Sequence, residues 1–228
     1  MQRSFQNSKK ITPESLRDVL RVYAYYNNEV QYCQGMNFLA GFCILITESE
    51  AEAFNFFKTL IERYEMQKFY VKDMPLLKEY FYKLDKLLTM IYPGMSNSLR
   101  IEGVNTNFYA SSWFMTVFSQ LMQHSKDDII PDMLLNIWDC FLLDGWKAVF
   151  KSGLFILSEL KEKILNSRFE KIIAVLGDVL KGKLFYDEEG TKRLKEVYKK
   201  FKVTNTFLKK FGDEYRIVQE EIYDELNN

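Results

Sequence analysis

The sequence predicts an all-helical fold. Three observations carry that expectation. Apolar residues recur at helical spacing along almost the whole chain. Chain breakers are scarce, with 10 Gly and 4 Pro among 228 residues. Large rings are abundant, 19 Phe and 14 Tyr, which favours long helices packed on one another. No alternating polar–apolar stretch competes with this reading, so helix-on-helix packing is the layer architecture left.

The elements follow in order. Thr12-Pro13 reads as an N-cap with proline in the first turn, and Leu16, Val19, Leu20 and Tyr23 form the apolar stripe of the first helix. Asn27-Asn28 ends it. A short link, Glu29 to Gln34, leads into an apolar helix from about Gly35 to Ile46. Ser49-Glu50-Ala51-Glu52 is a capping box ahead of the stripe Phe54, Phe57, Leu60, Ile61 and Tyr64. Pro75 opens a helix carrying Leu77, Tyr80, Phe81, Leu84 and Leu88, which Tyr92-Pro93-Gly94 should break. After a polar link comes a helix over Tyr109 to Met122, then a loop holding His124 and Asp127-Asp128. Pro131 starts a helix through Leu134, Ile137, Trp138 and Phe141 that Asp144-Gly145 stops. Trp146 to Leu165 follows. A second capping box is expected at Ser167-Arg168-Phe169-Glu170, with Gly182 ending its helix. Two last helices lie near Thr191 to Phe201 and Thr206 to Leu226. The sum is about nine or ten helices in one domain, with no linker composition and no fixed repeat period.

Composition excludes several classes of function. Thirty-one basic residues balance 31 acidic ones, so no overall field would hold the chain on nucleic acid or an anionic membrane. The longest strongly apolar run, Phe38 to Ile46, is less than half the roughly 20 residues of a membrane span. The opening residues lack an apolar signal-peptide core, and Cys33, Cys43 and Cys140 lack metal-binding spacing. Reduced, buried thiols in a cytosolic protein are the expectation. With His124 as the single histidine, a zinc site of this chain's own Cys and His residues is excluded. A hydrolase using Cys33 and His124 is a weak alternative, because nothing in the sequence orients that pair.

One segment is unusual for a core. Tyr32-Cys33-Gln34-Gly35-Met36-Asn37 places glutamine, glycine and asparagine at the start of an otherwise apolar helix. Gly35 permits close approach of another backbone, and a side chain just before a helix start is placed to reach outward. Read alone, the segment serves either as a cap and turn or as a platform for an outward-facing side chain.

In context, the run from Tyr23 to Asn37, YAYYNNEVQYCQGMN, resembles the central signature of the TBC domain, a family of GTPase-activating proteins for Rab GTPases. Further blocks match in the expected order: Tyr109-Ala110-Ser111-Ser112-Trp113-Phe114, then Ile137-Trp138-Asp139-Cys140-Phe141-Leu142-Leu143-Asp144-Gly145-Trp146, then a closing helix around Phe207 to Tyr215. The resemblance thus covers nearly the whole chain, 1–228, and implies a single TBC-type domain. It also implies a two-finger mechanism, in which an I-x-x-D-x-x-R motif supplies an arginine and a Y-x-Q motif a glutamine to the bound GTPase. Gln34 stands at the second position, and Arg3, followed by Ser4-Phe5, at the end of the first. Tyr32, Gly35, Asn37 and Asp139 are the implied partner-binding residues.

These residue types suit the reaction. Negative charge spreads over the phosphoryl oxygens during GTP hydrolysis, and the attacking water must be held in line. A guanidinium is permanently charged and presents a planar fork of donors, whereas a glutamine amide both donates and accepts. An arginine finger is worth about a thousandfold to a hundred-thousandfold, or roughly 4–7 kcal/mol of barrier. The resemblance implies a GTP-bound Rab as partner, with GTP and magnesium carried by that partner and no cofactor or nucleotide hydrolysis of the chain's own. It also implies a cytoplasmic protein reaching endomembranes transiently through the GTPase. The motif aspartate three residues before the arginine has no counterpart ahead of Arg3, nor do the helices that precede the motif, so an N-terminally truncated domain is expected. That departure keeps a second reading in view, a catalytically silent TBC-like scaffold.

Other conspicuous residues carry structural expectations. Trp113, Phe114, Phe118 and Phe150 should be core. Trp138 should be buried, with the Asp139 carboxylate capping or bonding a neighbouring loop unless it faces the GTPase. His124 should be solvated, and Lys199-Lys200 with Lys209-Lys210 an exposed face rather than a lipid site.

Overall fold

The computed structural model describes residues 5, 8–30, 32–124, 128–179, 185 and 188–227, with the backbone alone at 124, 226 and 227. These residues form eleven α-helices and two short 3-10 segments, with no strand among them. The helices are α1 (Pro13–Tyr26), α2 (Met36–Ile46), α3 (Glu50–Arg63), α4 (Pro75–Ile91), α5 (Pro93–Ile101) and α6 (Asn107–Thr116). They continue with α7 (Asp132–Asp144), α8 (Trp146–Leu165), α9 (Phe169–Asp178), α10 (Glu188–Lys200) and α11 (Asn205–Asn227). The 3-10 segments are Met66–Phe69 and Ser119–His124. No helix among the described residues is long and apolar enough to cross a membrane.

Local chemistry explains most boundaries. The Thr12 hydroxyl accepts the Ser15 N–H at 3.0 Å and the Ser15 hydroxyl accepts the Thr12 N–H at 3.1 Å, a reciprocal box that fixes the start of α1. At the other end the Asn27 side-chain oxygen accepts the N–H groups of Glu29 and Val30, turning the chain out of the helix. Ser49 accepts the Glu52 N–H, while Glu52 accepts the N–H of Glu48 and closes the start of α3.

Three boundaries differ from expectation, each for a physical reason. The segment expected as a polar link after Pro93-Gly94 is helix α5, because proline ends one helix but is also well suited to the first turn of the next. The helix expected to run from Tyr109 to Met122 stops at Thr116. Val117 and Phe118 both take left-handed φ, +47° and +61°, and Phe118 turns inward beside Trp113 and Phe185. Two such residues in succession, one of them β-branched, persist only where tertiary packing over-determines them. The capping box expected at Ser167 does not form. Arg168 stands at the N-cap position, and the Ser167 hydroxyl is buried without a hydrogen bond among the described residues. The carboxylate of Glu102, from the end of α5, accepts the Phe169 N–H at 3.2 Å and the Arg168 guanidinium at 2.8 Å. A charged acceptor at a helix N-terminus outcompetes a hydroxyl there. Gly182, expected to end this helix, lies outside the described residues.

α2 is buried on every side from Met36 to Leu45, which accounts for its unbroken apolar run. α1, α3 and α6 pack on it, α7 and α8 pack on each other, α10 covers that pair, and α11 packs on α4. Tyr80, Phe114, Phe150 and Trp146 form the aromatic centre, with ring centroids 5.0 to 5.4 Å apart. Trp113, Phe114, Phe118, Trp138 and Phe150 are all buried, as expected. Lys199, Lys200, Lys209 and Lys210 are exposed. Of the cysteines expected to be buried, Cys43 is, while Cys33 and Cys140 are only partly so.

Trp138 ties α7 to α2: its ring stacks on Phe42 at 4.2 Å and meets Phe141 edge-on at 5.6 Å. Trp138→Ala is expected to cost about 3–5 kcal/mol of folding stability, the range for emptying an aromatic core site. Urea denaturation followed by circular dichroism measures that loss, and a shift below about 1 kcal/mol would show that the neighbours refill the space.

Candidate functional site

Gln34 lies in the loop between α1 and α2, on the last residues before the helix start. The backbone on both sides of it is pinned. Ahead of it, the Cys33 carbonyl accepts the Met36 N–H at 3.2 Å, and the Cys33 N–H points to the Met36 sulfur at 3.3 Å. Behind it, the Gly35 N–H donates to Asn37 Oδ1 at 3.1 Å. Between these ties the Gln34 side chain is exposed and makes no hydrogen bond to another described residue. An amide carried this way has its donor and acceptor free for a ligand.

Gly35 caps α2 at φ +113°, ψ −36°. Space does not demand the glycine, since a Cβ there would meet Thr116 Cγ2 at an ordinary 3.5 Å; the backbone conformation does. Thr116 and Met115, at the strained end of α6, form the floor beneath the loop, and the Tyr70 hydroxyl holds the Met115 carbonyl from below. The N-terminal end of α2 faces the same loop and favours negative charge there.

The other residues marked from the sequence fall in different places. Tyr32 is 47% exposed and its hydroxyl reaches Asn37 Oδ1 at 3.4 Å, so it stands beside Gln34 on the surface. Gly35 and Asn37 are buried under the loop, Asn37 with 3% of its surface accessible. They shape the site from inside. Asp139 is exposed on α7 and makes no hydrogen bond with another described residue, so the loop-capping role expected for it is absent. Its neighbour Trp138 packs on Phe42, deep in α2 rather than at the Gln34 loop. Arg3 and the side chain of His124 lie outside the described residues. Burial pushes the Cys33 thiol above its ordinary value, which argues against a thiolate nucleophile. No group of three or more His, Cys, Asp or Glu among the described residues is arranged to share a metal ion.

Two anchors near the chain start went unseen in the sequence. Phe5, at φ +59°, buries its ring against α2, where it meets Phe38 edge-on at 5.8 Å. Gly41 makes the notch, since a Cβ there would come within 2.5 Å of the Phe5 ring. A single glycine in a run of bulky apolar residues was the available signal of close approach. Farther along, the Asp128 carboxylate accepts the N–H groups of Lys9 and Lys10 at 2.8 and 3.0 Å. Burial alone would raise the Asp128 pKa, but the hydrogen bonds from Ser8, Lys9 and Lys10 outweigh it and hold it below the usual value. This tie therefore stabilises the fold at neutral pH and is lost as pH falls through the lowered value. Gly41→Ala is expected to expel Phe5 from its notch. The cost should be at most about 3 kcal/mol, the burial of one such ring, and the segment before residue 10 should become protease-sensitive. An unchanged cleavage rate would show that the ring finds another seat.

The profile of the Rab-GTPase-TBC domain matches residues 1–165, nearly three quarters of the sequence. The chain belongs to that family. Among curated TBC relatives, the GTPase-activating protein GYP5 of Saccharomyces cerevisiae is 30% identical over 167 residues, covering 73% of this chain and 18% of that protein. Growth hormone-regulated TBC protein 1 of Xenopus laevis is 33% identical over 184 residues, 80% of this chain and 51% of that one. Rab GTPase-activating protein tbc-11 of Caenorhabditis elegans is 30% identical over 216 residues, 95% of this chain and 22% of that one. The chain thus spans between about a fifth and a half of these relatives' lengths.

Two solved structures share the TBC fold. The flagellar RabGAP TBC domain of Chlamydomonas superposes with a TM-score of 0.61 at 19% identity, over 82% of this chain and 58% of that one. The Ypt/Rab-GAP domain of Gyp1p gives 0.62 at 17% identity, over 89% of this chain and 66% of that one. The match to the TBC profile ends at the last residue of α8, and α10 and α11 pack back onto α7, α8 and α4.

Proposed function

We propose that this chain, taken as one TBC-type unit over 1–228, accelerates GTP hydrolysis by a GTP-bound Rab-family small GTPase. In this reading Gln34 orients the attacking water and contacts the γ-phosphate, while Arg3 stabilises the charge that develops on the phosphoryl oxygens. The observation that carries it is Gln34 itself, an exposed amide with no hydrogen bond among the described residues, on a backbone held at Cys33 and at Gly35. A catalytic amide must be presented without being consumed by the protein's own hydrogen bonds, and pre-organised so that little is spent ordering it.

Phe5 supports the part given to Arg3. Its ring is fixed on α2 between Phe38 and Gly41, on the helix that the Gln34 loop opens. Arg3 precedes Phe5 by two residues, at most about 7 Å of chain. GTP and magnesium belong to the partner, and the chain needs no cofactor. Tyr32 and Asp139 offer exposed contacts to the GTPase, whereas Gly35 and Asn37 act from beneath the loop. A protein working this way resides in the cytoplasm, joins endomembranes through the GTPase and takes part in vesicle trafficking.

Phosphate release by a panel of GTP-loaded Rab GTPases tests the reading. At least one should be accelerated by about a thousandfold or more at saturating chain. Binding to GTP-loaded Rab with no acceleration anywhere in the panel would favour the silent scaffold instead.

A further inference from the structure

Asn37 is the one amide side chain in the apolar helix α2. It is buried at the second position of the helix, where the sequence suggested a partner contact. Its Oδ1 accepts the N–H of Gly35 at 3.1 Å and lies 3.4 Å from the Tyr32 hydroxyl. One oxygen therefore gathers the residues that flank Gln34 on either side, Tyr32 two positions before it and Gly35 immediately after it. The Gly35 bond bears directly on Gln34, because φ at Gly35 decides where the preceding residue points, and +113° is not a conformation the chain adopts by default. The floor of Met115 and Thr116 limits how far the loop can sink but offers no hydrogen bond to the Gly35 N–H.

We propose that Asn37 is the positioning residue of the site: its side-chain oxygen sets the Gly35 turn and thereby aims Gln34. The proposal rests on the reading that Gln34 acts on the γ-phosphate. It assigns Asn37 no contact with the GTPase or its nucleotide. Its effect belongs to the chemical step, where misplacing a catalytic group by about 1 Å can cost a hundredfold, and not to binding of the partner. Tyr32 shares the same oxygen over a longer distance and makes the weaker tie, so its surface position leaves it available to the GTPase.

Single-turnover hydrolysis by one responsive GTP-loaded Rab, measured across chain concentration, separates the maximal rate from the half-saturating concentration. Asn37→Ala is expected to lower the maximal rate by about a hundredfold with the half-saturating concentration nearly unchanged. Asn37→Asp keeps an acceptor at the same distance, at a helix start that favours negative charge, and should restore most of the rate. In a Gln34→Ala background, Asn37→Ala should lower the rate no further, since nothing is left to aim. A general loosening of the fold would instead lower the rate in both backgrounds. Exchange of the Gly35 amide proton, followed by NMR in the chain alone, should quicken in Asn37→Ala and not in Asn37→Asp.

The proposal is overturned by a full maximal rate in Asn37→Ala, by an equal loss in the Gln34→Ala background, or by unchanged Gly35 exchange. If the native chain accelerates no GTPase, the functional reading fails and takes this one with it. If the native chain is active and Gln34→Ala is impaired but Asn37→Ala is not, this proposal alone fails.

Discussion

Replacing Gln34 by alanine is expected to lower stimulated GTP hydrolysis by about a hundredfold to a thousandfold, the usual loss when one pre-organised donor is removed from a transition state. Folding stability should barely change. The Gln34 side chain is exposed and bonds no other described residue, and the turn beneath it is held by Cys33, Met36, Gly35 and Asn37. Affinity for the GTPase should also change little, because an amide that orients water gains its strongest contacts only as charge develops. Phosphate release at saturating chain, with circular dichroism and a binding titration beside it, reads the three quantities separately. A wild-type rate in Gln34→Ala would remove the residue from the chemistry. A normal rate reached only at much higher chain concentration would make it a docking contact.

The larger loss is expected at Arg3. Arg3→Ala should lower the stimulated rate by about a thousandfold or more, and Arg3→Lys should fail nearly as badly. An ammonium keeps the charge but not the planar fork that engages two phosphoryl oxygens together. The comparison with lysine is what gives the experiment its force, since a general electrostatic role would survive that substitution. The Phe5 anchor offers an independent handle. Gly41→Ala, which should expel the Phe5 ring, should lower the rate through the same step while Gln34 stays in place. Equal rates for native and Arg3→Lys chains would show that Arg3 is not the finger.

Much of this architecture was legible in the sequence. Thr12-Pro13 and Ser49 with Glu52 cap α1 and α3, and the stripes of α3, α4, α7 and α8 carry the helical period, so propensity and packing agree there. The misses are places where a distant residue decides. Ser167 has the right spacing for a capping box, yet Glu102 reaches α9 first from 67 residues away. Nothing near Val117 announces a left-handed pair; the pocket around Trp113 that receives Phe118 does. Pro93 marked a boundary correctly but also opened a helix, the half of its meaning that pattern reading gave up.

The candidate site divides in the same way. The segment around Gln34 was visible because glutamine, glycine and asparagine open an otherwise apolar helix, but Gln34 itself was singled out by its match to the Y-x-Q motif. Asn37 belonged to that triplet, but only the fold shows it facing inward, with its oxygen on the Gly35 N–H. Phe5 and Asp128 were invisible because each works on a partner far along the chain, Gly41 in one case and Lys9 with Lys10 in the other. Asp139 looked like a capping residue beside a buried tryptophan, yet helical geometry turns adjacent side chains about 100° apart, and it points to solvent.

The most direct test of the two-finger account is single-turnover hydrolysis of GTP on one responsive Rab at saturating chain, comparing the native protein with one carrying both Arg3→Ala and Gln34→Ala. The account predicts that the native chain raises the intrinsic rate by about a thousandfold to a hundred-thousandfold. The doubly substituted chain should still bind GTP-loaded Rab and return the rate to its intrinsic value. A doubly substituted chain as fast as the native one would contradict the account.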